Sequence, residues 1–310
     1  KQFDTISSII KVEKTKRILY NYFVCEVKVM VKIITDCTSD LSTEMYQQLD
    51  IEVIPLYVTI GGKTYQDGVD LTMEELYQKI QQFGELPKSS AVSPAVMLEH
   101  FKKHYDKGDD VLFMGIGGQL SSTYQTARLA ASEFPSNRVR VVDSQNLSTG
   151  IGLLLLKAAK FRDQGDDLET IVNKVEKIVP FVRTQFAINT LEYLHKGGRC
   201  SGTARIFGTW LKIKPIITVI EGQLYVAKKP RGKFTVALEV LLDYLRADKD
   251  RVDEDCLFIT HSLATEDAQY LRAKIQEIVK VKQIYETQAS GVISTHCGPR
   301  TIGILYIVNK

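Results

Sequence analysis

Near its C-terminus the chain reads SGVISTHCGPRTIGI, Ser290 to Ile304. A β-branched run leads into His296, and a second, TIGILYIV, follows the chain-breaking Gly298-Pro299. Both runs read as strands, so the imidazole is expected at the mouth of a turn. A histidine so placed can be a satisfied structural residue, a metal ligand, a catalytic base or an anion partner. Two other stretches offer hydroxyls: Ser89-Ser90-Ala-Val-Ser93 and Gly118-Gln-Leu-Ser121-Ser122-Thr123. Each immediately precedes a helical pattern, and N-capping accounts for one serine in each. The functional alternative is an anion site, in which hydroxyls and free helix-end amides converge outside the ends of strands. A neutral histidine donor or an imidazolium would complete it.

Other patterns carry less. Gly61-Gly62-Lys63-Thr64 lacks the first glycine of a P-loop, since Tyr57 stands there, and reads as a hairpin turn. Gly115-Ile-Gly-Gly-Gln-Leu120 departs from the dinucleotide fingerprint at Leu120. His100 and His104 have the i, i+4 spacing of a metal pair, but no third ligand is evident and a solvated helix face is expected. His195 reads as a loop residue, and His261 as a strand-end residue that either lines a site or caps a turn. There is no G-x-S-x-G elbow. A hydrolase would have to pair Ser121 with His296, and no acid partner is visible.

The elements that must position these groups follow from period and punctuation. Val31–Thr35 reads as a strand, Ser42–Leu49 as a helix, and Ile51–Ile60 as one strand-like run. Thr72–Phe83 is a helix opened by a Thr-Met-Glu-Glu capping box, and Pro94–Tyr105 is another. Asp110–Ile116 and Arg138–Val142 are strands, with helices expected over Ser121–Phe134 and Asn146–Gln164. This alternation predicts a doubly wound, mainly parallel sheet with flanking helices over residues 30–180. After Pro180 the rhythm changes. A hairpin about Glu221-Gly222 and strands at Cys256–Thr260, Val281–Glu286 and Ile302–Val308 predict an α+β domain with a mixed sheet over 181–310. The fold class is therefore α/β with two domains.

At 310 residues, 44% hydrophobic and 25% charged, the chain has the balance of an ordinary globular protein. No apolar run is long enough for a membrane span. Five scattered cysteines without CxxC spacing suit a reducing cytoplasm rather than a disulfide scaffold or zinc site. Six of the 40 basic and three of the 37 acidic residues fall in 1–29, leaving 34 of each beyond and a neutral body. That argues against nucleic-acid binding, which needs clustered basic charge. Residues 1–29 show no clean period and no signal-peptide pattern. They are expected to be a disordered leader or an addition foreign to the fold, with Met30 as the natural start.

Eight stretches in order resemble the DegV family of fatty-acid-binding proteins: TDCTSDL (35–41), PKSSAVSP (87–94), GGQLSSTYQTA (117–127), VVDSQNLSTGIG (141–152), TLEYLHKGGR (190–199), KPIITVIEGQL (214–224), KKPRGK (228–233) and VISTHCGPRTIG (292–303). The resemblance implies a non-enzymatic, cytoplasmic carrier that holds one long-chain fatty acid in a buried tunnel, without a cofactor. It implies a fatty-acid kinase as partner, which phosphorylates the bound carboxylate to an acyl phosphate for phospholipid synthesis. The family's carboxylate-binding groups fall on Ser89, Ser121 and His296, and its head-group arginine most nearly on Arg231. Ser90, Ser93, Gly118, Ser122, His261 and Arg300 are expected near the head group. Gly117 stands where the family has a serine, and Arg300 where it has a glycine, so Arg300 adds a cation to that neighbourhood. Leu153–Leu156, Phe186 and Ile188 are expected in the core, with tunnel wall as the alternative.

Overall fold

The computed structural model describes residues 29–201 and 213–310. The expected leader, residues 1–28 in particular, and Gly202 lie outside the described residues. Val31–Lys310 pack as one compact unit.

In chain order the strands are β1 (Val31–Asp36), β2 (Ile51–Ile54), β3 (Tyr57–Ile60), β4 (Lys63–Gln66), β5 (Lys88–Ser90), β6 (Asp110–Gly115), β7 (Val139–Asp143), β8 (Val182–Ala187), β9 (Cys200–Ser201), β10 (Ile216–Ile220), β11 (Gln223–Lys228), β12 (Val252–Ser262), β13 (Gln283–Gln288) and β14 (Thr301–Val308). The helices are α1 (Thr43–Gln48), α2 (Met73–Phe83), α3 (Pro94–Tyr105), α4 (Thr123–Ala131), α5 (Thr149–Asp163), α6 (Leu168–Ile178), α7 (Glu192–Gly197), α8 (Phe234–Asp248), α9 (Thr265–Ile278) and α10 (Gly291–Cys297).

Three sheets organise them. Strands β2-β1-β6-β7 form a wholly parallel sheet, and β4-β3-β5 a small antiparallel one. Strands β13-β12-β14-β8-β10-β11-β9 form a mixed sheet drawn entirely from residues beyond 181. Helix α5 lies in the main core with residues of both larger sheets, which explains its near-continuous apolar sequence, TGIGLLLLKAA. A β-carbon at Gly152 would sit 2.7 Å from the Leu41 side chain. The helix therefore accepts glycine's poor propensity in exchange for close approach. Leu153, Leu154, Leu155, Phe186 and Ile188 are buried in this core, and Leu156 packs against it.

Three expected features differ in the structure. His195, expected in a loop, lies in the last turn of α7. The run Ile51–Ile60 is two strands in two sheets, parted at Pro55, which has no N–H to give to a ladder. The β-branched run into His296 is not a strand but helix α10. Ser290 caps it by accepting from the Ile293 N–H, and Asp67 accepts the N–H groups of Gly291 and Val292. Three satisfied amides outweigh the modest strand preference of Val, Ile and Thr.

Candidate functional site

Ser89 lies on β5, an edge strand in register with Val58 of β3. His296 lies in the last turn of α10. Ser89 Oγ is 2.7 Å from His296 Nε2. The two line one cavity of about 250 Å³ together with Ser90, Ser121, Ser122 and Arg199. The rest of that wall is largely apolar and includes Leu56, Ile116, Leu120, Leu147, Leu194, Leu224, Val292, Ile293 and Cys297. The cavity thus has a hydroxyl–imidazole–guanidinium cluster set against aliphatic carbon, the pattern of an amphiphile site.

Ser121 precedes α4 rather than opening it. Its Oγ accepts from the Thr123 N–H at 3.2 Å and meets the Thr123 hydroxyl at 2.9 Å. The capping role expected of one serine in this loop therefore belongs to Ser121, and Ser122 makes no cap bond. The loop is held tightly behind. The Gly117 N–H donates to the Asn146 carbonyl, and a β-carbon at Gly117 would lie 2.9 Å from the Asn146 nitrogen. This close approach leaves no room for a side chain at Gly117 without a shift of that backbone. The Gly118 N–H donates to Asp143, so this amide is spent on the scaffold.

His296 is held neutral. Burial, and next the positive charge of Arg199, push its pKa down to about 4. Its Nδ1 is buried and has no hydrogen-bond partner among the described residues, and a β-carbon at Gly197 would lie 2.5 Å from it. The ring is thus clamped by the backbone of α7. It presents Nε2 to Ser89 and the cavity, with no carboxylate behind it to strengthen it as a base.

The remaining expected head-group residues lie elsewhere. Ser93 caps α3 through the Val96 N–H. His261 is buried within β12, beside Glu286 at 3.6 Å, and accepts from the Ala264 N–H. It lines a second, smaller cavity that shares Leu147, Ile293 and Cys297 with the first. Arg231 is exposed and is not among the residues lining either cavity. Arg300 also lines neither. Its guanidinium pairs with Asp267 and stacks on Phe234, and its φ of 54° keeps the left-handed turn that a glycine would supply. The arginine that does line the first cavity is Arg199, just past the end of α7; it is exposed, and its guanidinium donates to the Gly197 carbonyl. Its signal was present in the sequence as a cation beside paired glycines, but spacing alone does not assign it to the cavity.

The other patterns resolve simply. Gly61-Gly62 is the turn of the β3–β4 hairpin. His100 Nδ1 and His104 Nε2 each lie 2.6 Å from the Glu52 carboxylate, so both rings spend a nitrogen on one structural acid. Among the described residues no group of three or more His, Cys, Asp or Glu is placed to hold a metal. No described helix is long and apolar enough to cross a membrane.

A family model described as an uncharacterised protein of the DegV family matches residues 30–309. The chain belongs to the DegV family. A DegV domain-containing protein of Caldanaerobacter subterraneus is 32% identical over 276 residues, 89% of this chain and 98% of its own. A DegV family protein of Thermus thermophilus, solved in a study of its fatty-acid binding, superposes with a TM-score of 0.85 at 32% identity, covering 91% of this chain and 100% of that one. A stearic-acid-binding protein of Eubacterium ventriosum superposes with a TM-score of 0.81 at 25% identity, covering 90% and 98%. The two-domain DegV fold, a parallel sheet followed by a mixed one, is the fold described above.

Proposed function

We propose that this DegV protein is a carrier for one long-chain fatty acid, with its carboxylate held by Ser89, Ser121 and His296. The observation that carries the reading is the lining of the first cavity: hydroxyls, a neutral imidazole and a guanidinium confined to part of a mostly aliphatic wall. A buried carboxylate needs several donors, since an unpaired charge away from water is very costly. The Ser89 and Ser121 hydroxyls and Nε2–H supply three, and Arg199 supplies the countercharge. The acyl chain lies along the aliphatic wall toward Leu147, Ile293 and Cys297, each buried methylene contributing about 0.8 kcal/mol before ordering costs. The relatives solved with or for fatty acids support the ligand class.

The carrier has no catalytic residue in this reading. An acyl hydrolase or a small-molecule transferase using Ser121 and His296 is the alternative, and two features weigh against it. His296 bonds Ser89 rather than Ser121, and neither an acid partner nor an ordinary basicity equips it to take a serine proton. The carrier presents its carboxylate to a fatty-acid kinase for acyl-phosphate formation, in the cytoplasm, with the KGGR stretch and Arg231 on the kinase-facing side. Arg231→Glu should then slow acyl-phosphate formation while lipid binding stays intact.

The test of the site is lipid retention. Ser89→Ala, Ser121→Ala and His296→Ala should each lower the fatty acid extracted per mole of purified protein while the circular dichroism spectrum is unchanged. Full retention in all three would sink the assignment.

A further inference from the structure

The helix that carries His296 is fastened at its start by carboxylates from outside the cavity. Asp67 follows β4 and is buried, at 3% exposure. Its Oδ1 accepts the Gly291 N–H at 2.9 Å and its Oδ2 the Val292 N–H at 2.8 Å. Asp40 accepts the neighbouring Ser290 N–H at 2.9 Å. The fit at Asp67 is tight enough that a β-carbon on Gly291 would lie 2.5 Å from Oδ1. Among the described residues no lysine, arginine or histidine bonds or pairs with Asp67, and its other side-chain partner there is Cys37 Sγ. A buried carboxylate satisfied by two amides and a thiol is a costly way to start a seven-residue helix, and Ser290 already caps it.

What the expense secures is geometry. Val292, Ile293, His296 and Cys297 all line the first cavity, and their spacing puts them on one face of α10. Gly291 and Val292 lie about one turn before His296. A bidentate carboxylate on both amides fixes the rotation and depth of that face, and with it the position of Nε2 against Ser89.

We infer that Asp67 is a positioning residue of the carboxylate site, acting through His296. The inference rests on the proposed carboxylate-binding role of His296. If it holds, Asp67 matters to the ligand only while the imidazole is there to be positioned. A residue that merely stabilises the fold would weaken binding to the same extent with or without His296.

A double-mutant cycle separates the two. The dissociation constant for stearate is measured on the full chain for wild type, Asp67→Asn, His296→Ala and the double variant. Asparagine keeps the size but puts an amide NH2 donor where an oxygen accepts. The expected result is about ten-fold weaker binding for Asp67→Asn, the scale of one strained hydrogen bond to a charge. Within His296→Ala the same substitution should change binding less than about two-fold, within the error of such cycles. Equal factors in both backgrounds, or no effect in wild type, would overturn the inference. No loss of affinity in His296→Ala itself would instead overturn the site reading and the inference with it. Should Asp67→Asn not fold, Gly291→Ala displaces the same oxygen with Asp67 in place, and the same coupled pattern is required.

Discussion

Two histidines, the half-buried His296 and the buried His261, stand on two cavities that share the Leu147–Ile293–Cys297 wall, and desolvation lowers the pKa of both. The rings differ in what they have left to offer. His261 is committed on both sides, to the Ala264 N–H and beside Glu286. His296 meets a serine hydroxyl within its cavity and has no other hydrogen-bond partner among the described residues. The hydroxyls divide in the same way. Around the inner cavity Thr184 donates to Asn146, Ser148 to Asp40 and Thr301 to the Cys297 carbonyl, while Thr260 bonds Thr149 and Thr287. Those protons are spent within the wall, so a threonine-rich lining turns its carbon to the cavity. Around the outer cavity Ser89 meets the His296 ring and Ser121 meets Thr123 of its own loop, while Ser122 makes no cap bond. Polar residue types alone therefore do not mark a head-group site; the partners they face decide.

The comparison is broken most severely at the outer cavity. Ser89→Ala combined with His296→Ala removes two hydrogen bonds to a buried carboxylate and should weaken fatty-acid binding about 100-fold, at roughly 1.5 kcal/mol or more each. Titration calorimetry checks this. The shared wall comes next. Ile293→Ala should join the two cavities and favour longer chains. Two further buried methylenes, at about 0.8 kcal/mol each, correspond to roughly a ten-fold shift in C18 over C16 preference. Competition between the two acids, read by gas chromatography of the extracted lipid, measures it.

The histidines themselves give a smaller, signed effect. The folded pKa of His296 lies near 4, below its unfolded value of about 6.5. Its contribution to stability is therefore complete above pH 6.5 and is lost as the pH falls through 4. His296→Gln should flatten that part of the curve of melting temperature against pH. Arg199→Ala should raise the His296 pKa, since it removes a nearby positive charge, and an NMR titration of the ring would show the rise. The smallest effect belongs to the inner wall. Thr184→Val should cost about 1 kcal/mol of stability through the lost bond to Asn146. It should change fatty-acid affinity less than about two-fold, because that hydroxyl was never available to the ligand.

Much of the scaffold was legible in the chain. The alternation from Val31 to Asp143 announced a parallel sheet, and the change of rhythm after Pro180 announced a different one. The capping box at Thr72 is present with both of its bonds. What misled was local preference set against distant partners. The β-branched run before His296 is helical because Asp67, more than 200 residues earlier, accepts its first amides. Arg300 looked like a new cation for the site, but Asp267 and Phe234 draw it away. Arg199 lines the cavity from an exposed position just past the end of α7, and no spacing rule encodes that. The resemblance brought Ser89 and His296 to notice together, and the structure brings them to 2.7 Å.

The most direct test of the carrier account is native mass spectrometry of the protein as purified, followed by solvent extraction of whatever is bound. The account predicts a single mass increment matching one long-chain fatty acid, present in wild type and depleted in the Ser89→Ala/His296→Ala variant. A protein that carries no lipid and fails to take up added fatty acid would contradict it.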